Sequence, residues 1–512
     1  MKKAFVILLI ILPNLILSQK TELVYQVDKA DKVVSDLKTI GNKLYFSSGG
    51  YYYPKGAWCG NSHITKSYHP KAYYFDFETN KPKEIILEKL DSNFISWSSF
   101  YNMGEDRLII VKEDQIGYGE MYLTNSNLSS IEKVNKINGD TPASIYRAQR
   151  IGDKLFFNAN DPRGKRQLWF TDGTMEGTRP FYNDTIPYMI STPTPFKNGL
   201  VFMGYNEKSD CVLFYKSYES DELTKFTLFP ESSVFVEIKD TFNTKMIFEV
   251  TYRNKKGSHD NKDFPLTALW ETDGTIDGTK LIGDFGKYEL TYSPTQHQGK
   301  FYLSVGYHTY YLWETDGTKE GTKKTIKEIK LSDGNSDRTG LMKFKDDLYF
   351  IGERDSISGR QVYYLSTNSE PVLISKRKSN QFKPMNLTVV NDNLFFVANT
   401  KKEGRELWKV DSKKKKICQI TKINKNGKAF SEDKYRQPWF PRNEKLYFLA
   451  QTTNGSQLFM TDGKKYNQVI DQNGIEAPRK EFFSHVDYNG ELYVTYGKGL
   501  SEYGYQIWKI EE

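Results

Sequence analysis

Lys43-Leu44-Tyr45-Phe46 returns along the chain as Lys154-Leu155-Phe156-Phe157, Asp347-Leu348-Tyr349-Phe350, Asn393-Leu394-Phe395-Phe396 and Lys445-Leu446-Tyr447-Phe448. Looser copies begin at Arg107, Gly199, Lys245, Lys300 and Glu491. A polar residue followed by Leu and aromatics describes a short strand. Counted on Leu44 and its equivalents (Leu108, Leu155, Leu200, Met246, Phe301, Leu348, Leu394, Leu446, Leu492), most steps lie between 45 and 47 residues, which makes ten units.

A second signature follows in most units: Leu168-Trp169, Leu269-Trp270, Leu312-Trp313, Leu407-Trp408, Leu458-Phe459 and Ile507-Trp508. Five of the eight tryptophans share this slot, so it reads as a core wedge between neighbouring sheets, with a ring of ligand-stacking indoles as the alternative. The third signature is Thr171-Asp172-Gly173-Thr174 with Gly177-Thr178, repeated at Thr272-Asp273-Gly274-Thr275 with Gly278-Thr279 and at Thr315-Asp316-Gly317-Thr318 with Gly321-Thr322. Asp-Gly marks a turn, because Asp bonds nearby amides and Gly accepts a positive φ. One carboxylate per turn falls far short of the roughly six to eight oxygens that Ca²⁺ takes, so no metal is expected there.

With Leu269-Trp270-Glu271-Thr272-Asp273-Gly274-Thr275 and Leu312-Trp313-Glu314-Thr315-Asp316-Gly317-Thr318, the chain resembles the tandem ELWxxDGT-repeat proteins common among exported proteins of Bacteroidota and related bacteria. By period the resemblance spans the chain after its first residues, although the complete motif stands in three units. It implies a propeller-like fold and an exported location. It brings no defined activity and no catalytic residues.

Four short strands fit each unit. In the third these are 144–151, 154–158, 167–171 and 178–181. That is the allotment of a propeller blade, so the expected fold is all-β, a β-propeller of about ten four-stranded blades. The last unit stops at its third strand, Gln506-Ile507-Trp508-Lys509-Ile510, and Thr21-Glu22-Leu23-Val24 resembles the fourth strand Thr279-Lys280-Leu281-Ile282. The N-terminal strand is therefore expected to complete the last blade and close one ring. Two five-bladed propellers, joined between Phe229 and Phe242, are the alternative.

Met1-Lys2-Lys3, an apolar run from Ala4 to Leu12 and a small residue at Ser18 read as a signal peptide over 1–18, leaving 19–512 as the propeller domain. Pro13 and Asn14 interrupt a stretch already too short to span a bilayer, and no later segment is apolar enough to do so. Location in the periplasm or at the cell surface follows. The composition is 38% hydrophobic and 15% aromatic with mean hydropathy −0.63, as expected of strands with one wet face. The net charge of +8 is mild for 512 residues, and the dense run Lys413 to Lys416 reads as a solvated hairpin tip, so no nucleic-acid partner is expected. Cys59, Cys211 and Cys418 fall in separate units and do not suggest a disulfide framework.

The informative departures from the repeat are two insertions between second and third strands. Gly49 to Lys71 carries Tyr51, Tyr52, Tyr53, Trp58, His63, Tyr68 and His69; Tyr252 to Leu266 carries Arg253 and His259. Aromatic loops on a rigid scaffold suit stacking on sugar rings or on a partner's side chains. HExxH, GxSxG and a phosphate-binding Gly-rich loop do not occur. The expectation is thus a monomeric binding or scaffold protein of the cell envelope, without cofactor, whose ligand is a glycan or a protein partner. A polysaccharide-acting hydrolase or lyase with its site on the loop-rich face is the alternative.

Overall fold

The computed structural model describes the chain from Lys20 to Ile510 apart from connecting segments, the longest being 27–33, 49–70, 88–95, 138–144, 253–265, 332–340, 431–438, 472–484 and 497–505. Among the described residues every regular element is a strand. The strands fall into ten antiparallel blades: 34–85, 96–133, 146–180, 188–226, 233–286, 289–324, 341–373, 385–419, 439–468, and 485–510 completed by Lys20–Gln26. The third, for instance, consists of Tyr146–Ile151, Lys154–Asn160, Arg166–Thr171 and Arg179–Pro180. Blades 6 and 7 share one sheet, because Lys330–Leu331 pairs with the third strand of blade 6 and the second strand of blade 7.

Strand alternation turns this series into a ring. In each second strand the Leu44-type residue faces the preceding blade, the next residue the following blade, and the third the preceding blade again. Thus Leu155 and Phe157 pack with Ile109 and Val111 of blade 2, whereas Phe156 packs with Leu200 and Phe202 of blade 4. The Leu-Trp pair alternates in the same way: Leu407 meets Leu446 of blade 9, and Trp408 meets Tyr349 and Ile351 of blade 7. Ten such apolar clusters fill ten seams. The tenth joins Tyr493 and Ile507 of blade 10 to Leu44 and Phe46 of blade 1, which makes the ring continuous.

Closure uses the N-terminal strand as expected. Thr21, Glu22 and Leu23 pair with Ile510, Lys509 and Trp508, and after a bulge Tyr25 and Gln26 pair with Ile507 and Gln506. Its far edge pairs in parallel with Ile470 and Asp471, so backbone groups on both sides of this strand are used. One ten-bladed ring, and not two of five, is the architecture.

Candidate functional site

The tryptophan slot belongs to the seams. Trp169 and Trp408 are buried at 6% and 4% exposure, and Trp408 donates its indole N–H to the Ala398 carbonyl at 3.3 Å. Trp270, Trp313 and Trp508 are only partly buried, because each lies at the rim of its cluster against the preceding blade. All five indoles pack against apolar clusters between blades, with deeper burial in blades 3 and 8.

The Asp-Gly-Thr turns are self-contained. In blade 5 the Thr275 amide and hydroxyl both donate to Asp273 Oδ1, at 2.9 and 2.7 Å. The Gly274 amide donates to Thr272 Oγ1 and the Gly278 amide to Thr275 Oγ1. Blades 3 and 6 repeat the set through Asp172 and Asp316. The Thr275 hydroxyl, then its amide, hold the Asp273 carboxyl below its ordinary range, and Thr318 does the same for Asp316. Gly173, Gly274 and Gly317 take φ of 91°, 92° and 89°, as the turn requires. A β-carbon on Gly278 would collide with Asp273 Oδ1, which accounts for the second glycine. A fourth turn of this kind, at Thr461-Asp462-Gly463, lacks the following Thr and escaped the motif reading.

The basic run also has a structural use. It forms the turn between Gly404–Asp411 and Lys416–Gln419, where Lys415 pairs with Asp347 of blade 7 and lies 4.4 Å from the Tyr364 ring centroid. It is a clasp between blades.

The two insertions occupy the chain positions expected of them, between Lys43–Ser48 and Lys71–Asp76 and between Lys245–Tyr252 and Leu266–Thr272. Tyr51, Tyr52, Tyr53, Trp58, His63, Tyr68, His69, Arg253 and His259 themselves lie outside the described residues. The described residues draw attention elsewhere, to the first strands.

First strands of adjacent blades pack on one another, as at blades 1 and 2 and blades 6 and 7, and each stands at an end of its blade's sheet. They therefore line the axial channel, and among the described residues each makes ladder bonds on one side only, with some carbonyls (Phe100, Ala148, Asp487) taking side-chain hydrogen bonds from the neighbouring blade. At one level of this channel the ladder is interrupted repeatedly. Register shifts between Ser35 and Lys38, Tyr146 and Gln149, Ile238 and Asp240, and Met385 and Thr388. In blades 4 and 6 the first strand is split outright, into Tyr188–Met189 and Thr194–Phe196, and into Glu289–Leu290 and Thr295–His297. Pro193 and Pro294 precede the second pieces and have no N–H for a ladder. Arg147 and Asn386, equivalent bulge residues in blades 3 and 8, have φ of 53° and 60°, a conformation non-glycine residues seldom adopt.

At the same level, three residues beyond the Leu44-type position, each second strand sends a side chain toward the following blade. Ile351, Val397 and Leu449 fill this slot in blades 7, 8 and 9. Where it is polar in blades 1 and 5 it is paired: Ser47 donates to the Ser98 carbonyl at 2.6 Å, and Glu249 meets Lys239 at 2.6 Å. Blade 3 differs. Asn158 is at 0% exposure, and neither its Oδ1 nor its Nδ2 has a hydrogen-bond partner. Asn160 Oδ1, on the same face two residues on, is unpartnered as well. Opposite them is the split first strand of blade 4, where Ser191 Oγ accepts the Met203 amide at 2.9 Å.

Among the described histidines, His297 is buried at 3% and has no partner on Nε2, and His485 stacks on Phe440 with centroids 4.2 Å apart. The His297 slot, directly before the two-residue turn that leads into the second strand, holds Ile40, Ile151, Phe196 and Phe344 in other blades. Burial, then the Lys343 charge, hold its imidazole below its ordinary value against the opposing pull of Asp347.

No protein-family model and no curated protein matches this sequence. Among solved structures, the chain is similar to Porphyromonas gingivalis dipeptidyl peptidase 4, at 11% identity and TM-score 0.41 over 78% of this chain and 64% of that one. A puromycin hydrolase is similar at 9% identity and TM-score 0.28, over 86% and 61% of the respective chains. Pyrococcus horikoshii acylaminoacyl peptidase is similar at 15% identity and TM-score 0.30, over 69% and 57%. This chain thus spans less than two thirds of each.

These outcomes correct the expected function. The envelope scaffold binding a glycan or partner, and its polysaccharide hydrolase or lyase alternative, are replaced, since the similar solved structures are named as peptidases and a puromycin hydrolase. The physical reason for the error is that an aromatic insertion and a structural turn motif specify no ligand class.

Proposed function

We propose that this chain is a peptide-handling propeller, in which an extended polypeptide engages the interrupted first strands around the axial channel. The observation that carries the reading is the loss of register at one level in blades 1, 3, 4, 5, 6 and 8. A ladder interruption leaves peptide groups without a strand partner, and an unpaired edge recognises another backbone through alternating N–H and C=O groups. A sugar ring offers no such repeat.

Export and membership of the ELWxxDGT-repeat proteins belong to the same proposal. The closing strand begins at Lys20, directly behind the expected cleavage point, so removal of 1–18 would leave the ring complete. The turn hydrogen bonds at Asp172, Asp273 and Asp316 give the motif a structural rationale.

The test is fluorescence anisotropy with the 19–512 protein and labelled oligoalanine and proline-containing oligopeptides, beside labelled glycans. Saturable binding of peptides and not of glycans is expected. Absence of peptide binding would overturn the reading. Edman sequencing of protein secreted by a bacterial host should start at Gln19.

A further inference from the structure

One buried carboxamide, Asn158, makes none of its hydrogen bonds, and the half-buried Asn160 beside it has an unpartnered Oδ1, at the level where the first strand of blade 4 is split. Phe156, Asn158 and Asn160 share one face of their strand, and Phe156 packs with Leu200 and Phe202 of blade 4, so this face looks into the seam between blades 3 and 4. Across the seam the inner wall is the split strand of blade 4, whose ladder stops at Met189 paired with Gly204 and resumes at Thr194 paired with Val201. Asn158 and Met203 stand three residues beyond Leu155 and Leu200, so the carboxamide lies at the level of the split.

A buried amide that makes none of its bonds weakens a seam, and apolar residues fit the slot in blades 7, 8 and 9. Packing alone therefore favours Leu or Val at residue 158. A carboxamide offers two N–H donors and an acceptor oxygen with two lone pairs, which complements the C=O and N–H of a peptide group. It carries no net charge, so it suits a neutral amide better than a phosphate, a carboxylate or a cation.

We infer that Asn158 and Asn160 form a subsite at the seam between blades 3 and 4 that takes one peptide group of the polypeptide held in the channel, an inference that rests on the peptide-handling reading. Asn158 reaches the peptide group through the split in blade 4, and Asn160 supplies a second acceptor on the same face. The strained Arg147, on the first strand of the same blade, borders the same level from the channel side.

The experiment compares the 19–512 protein with its Asn158→Leu variant, using fluorescein-labelled oligoalanine as probe and thermal melting as a control for folding. The Leu variant is expected to melt at or above the wild-type temperature while losing about tenfold or more in affinity, the size of one lost hydrogen-bonded contact. Oligoalanine N-methylated on its backbone is expected to lose affinity for wild type and to bind the two proteins alike. Should the Leu variant not fold, Asn158→Ser replaces it, since Ser304 fills the same slot in blade 6. Unchanged affinity in a folded variant overturns the subsite and leaves the peptide reading standing. Failure of wild type to bind any peptide overturns both.

Discussion

The seams between blades 8 and 9 and between blades 3 and 4 start from one strand pattern and end in different chemistry. In the first, Phe395 and Val397 of blade 8 meet Leu446, Phe448 and Ala450 of blade 9 without a polar interruption. In the second, Phe156 meets Leu200 and Phe202, but the next inward residue is Asn158. The first seam spends its slot on packing. The second places an unpartnered carboxamide at the level where the first strand of blade 4 is split. A ring of ten similar seams tolerates this because the other seams carry its stability, much as a rigid scaffold supports a costly functional site.

The largest effect should come from the apolar side of this contrast. Trp408→Ala, which empties a well-buried wedge between blades 7 and 8, is expected to cost about 3 to 5 kcal/mol in urea denaturation. Trp313→Ala, at a partly exposed rim position, should cost clearly less. Equal losses would mean that depth in the seam does not govern the wedge. Next comes a transplant. Val397→Asn puts the blade 3 carboxamide into the apolar seam, and about 2 to 3 kcal/mol should be lost because the buried amide finds no partner there. A variant as stable as wild type would show that any seam accepts this group, and Asn158 would then lose its distinction.

A smaller effect concerns His297 at an otherwise apolar slot. Its folded imidazole is held below the ordinary value of 6.5, chiefly by burial, so below that pH the unfolded chain binds more protons than the folded one. Stability should be flat above pH 6.5 and fall as the pH drops through it. In His297→Phe, with the residue blade 7 has as Phe344, the midpoint of urea unfolding should fall less between pH 7 and pH 5. Exposed His485 is unchanged in both proteins. Identical pH profiles would exclude His297 as a source of acid sensitivity.

How much of this contrast was legible in the sequence depends on the range of the interaction. Strand alternation, the Leu-Trp wedge and the Asp-Gly turn are local patterns, and they led to ten blades, indoles packed in the seams and positive-φ glycines; how deeply each indole is buried, from Trp408 to the partly exposed rim at Trp313, was not legible. Closure was legible because Thr21 to Val24 resembles a fourth strand and the last unit lacks one. The interrupted first strands were not, since a bulge is defined by the register between two strands; only Pro193 and Pro294 hint at it. Asn158 stands plainly in Phe157-Asn158-Ala159-Asn160, yet its lack of partners depends on what blade 4 places opposite. The envelope scaffold was inferred from loop composition, which carries too little chemistry to specify a ligand.

The least effect is expected where two blades solve one electrostatic problem with opposite signs. In blades 5 and 6 the Lys that opens the second strand meets the Glu after the Trp: Lys245 with Glu271 at 2.7 Å, and Lys300 with Glu314 at 2.8 Å. In blade 10 the same two positions hold Glu491 and Lys509, paired at 2.6 Å with the charges exchanged. If complementarity and not residue identity matters, exchanging both charges in blade 10, Glu491→Lys with Lys509→Glu, should leave stability within about 0.5 kcal/mol of wild type. Glu491→Lys alone places two cations side by side and should cost up to about 1 kcal/mol, a modest loss because both side chains reach solvent. Raising the salt concentration should shrink that difference, as screening acts on exposed charges. A double variant no more stable than the single one would mean that the lysine and glutamate positions are fixed by packing of their stems, and the reversal in blade 10 would need another cause.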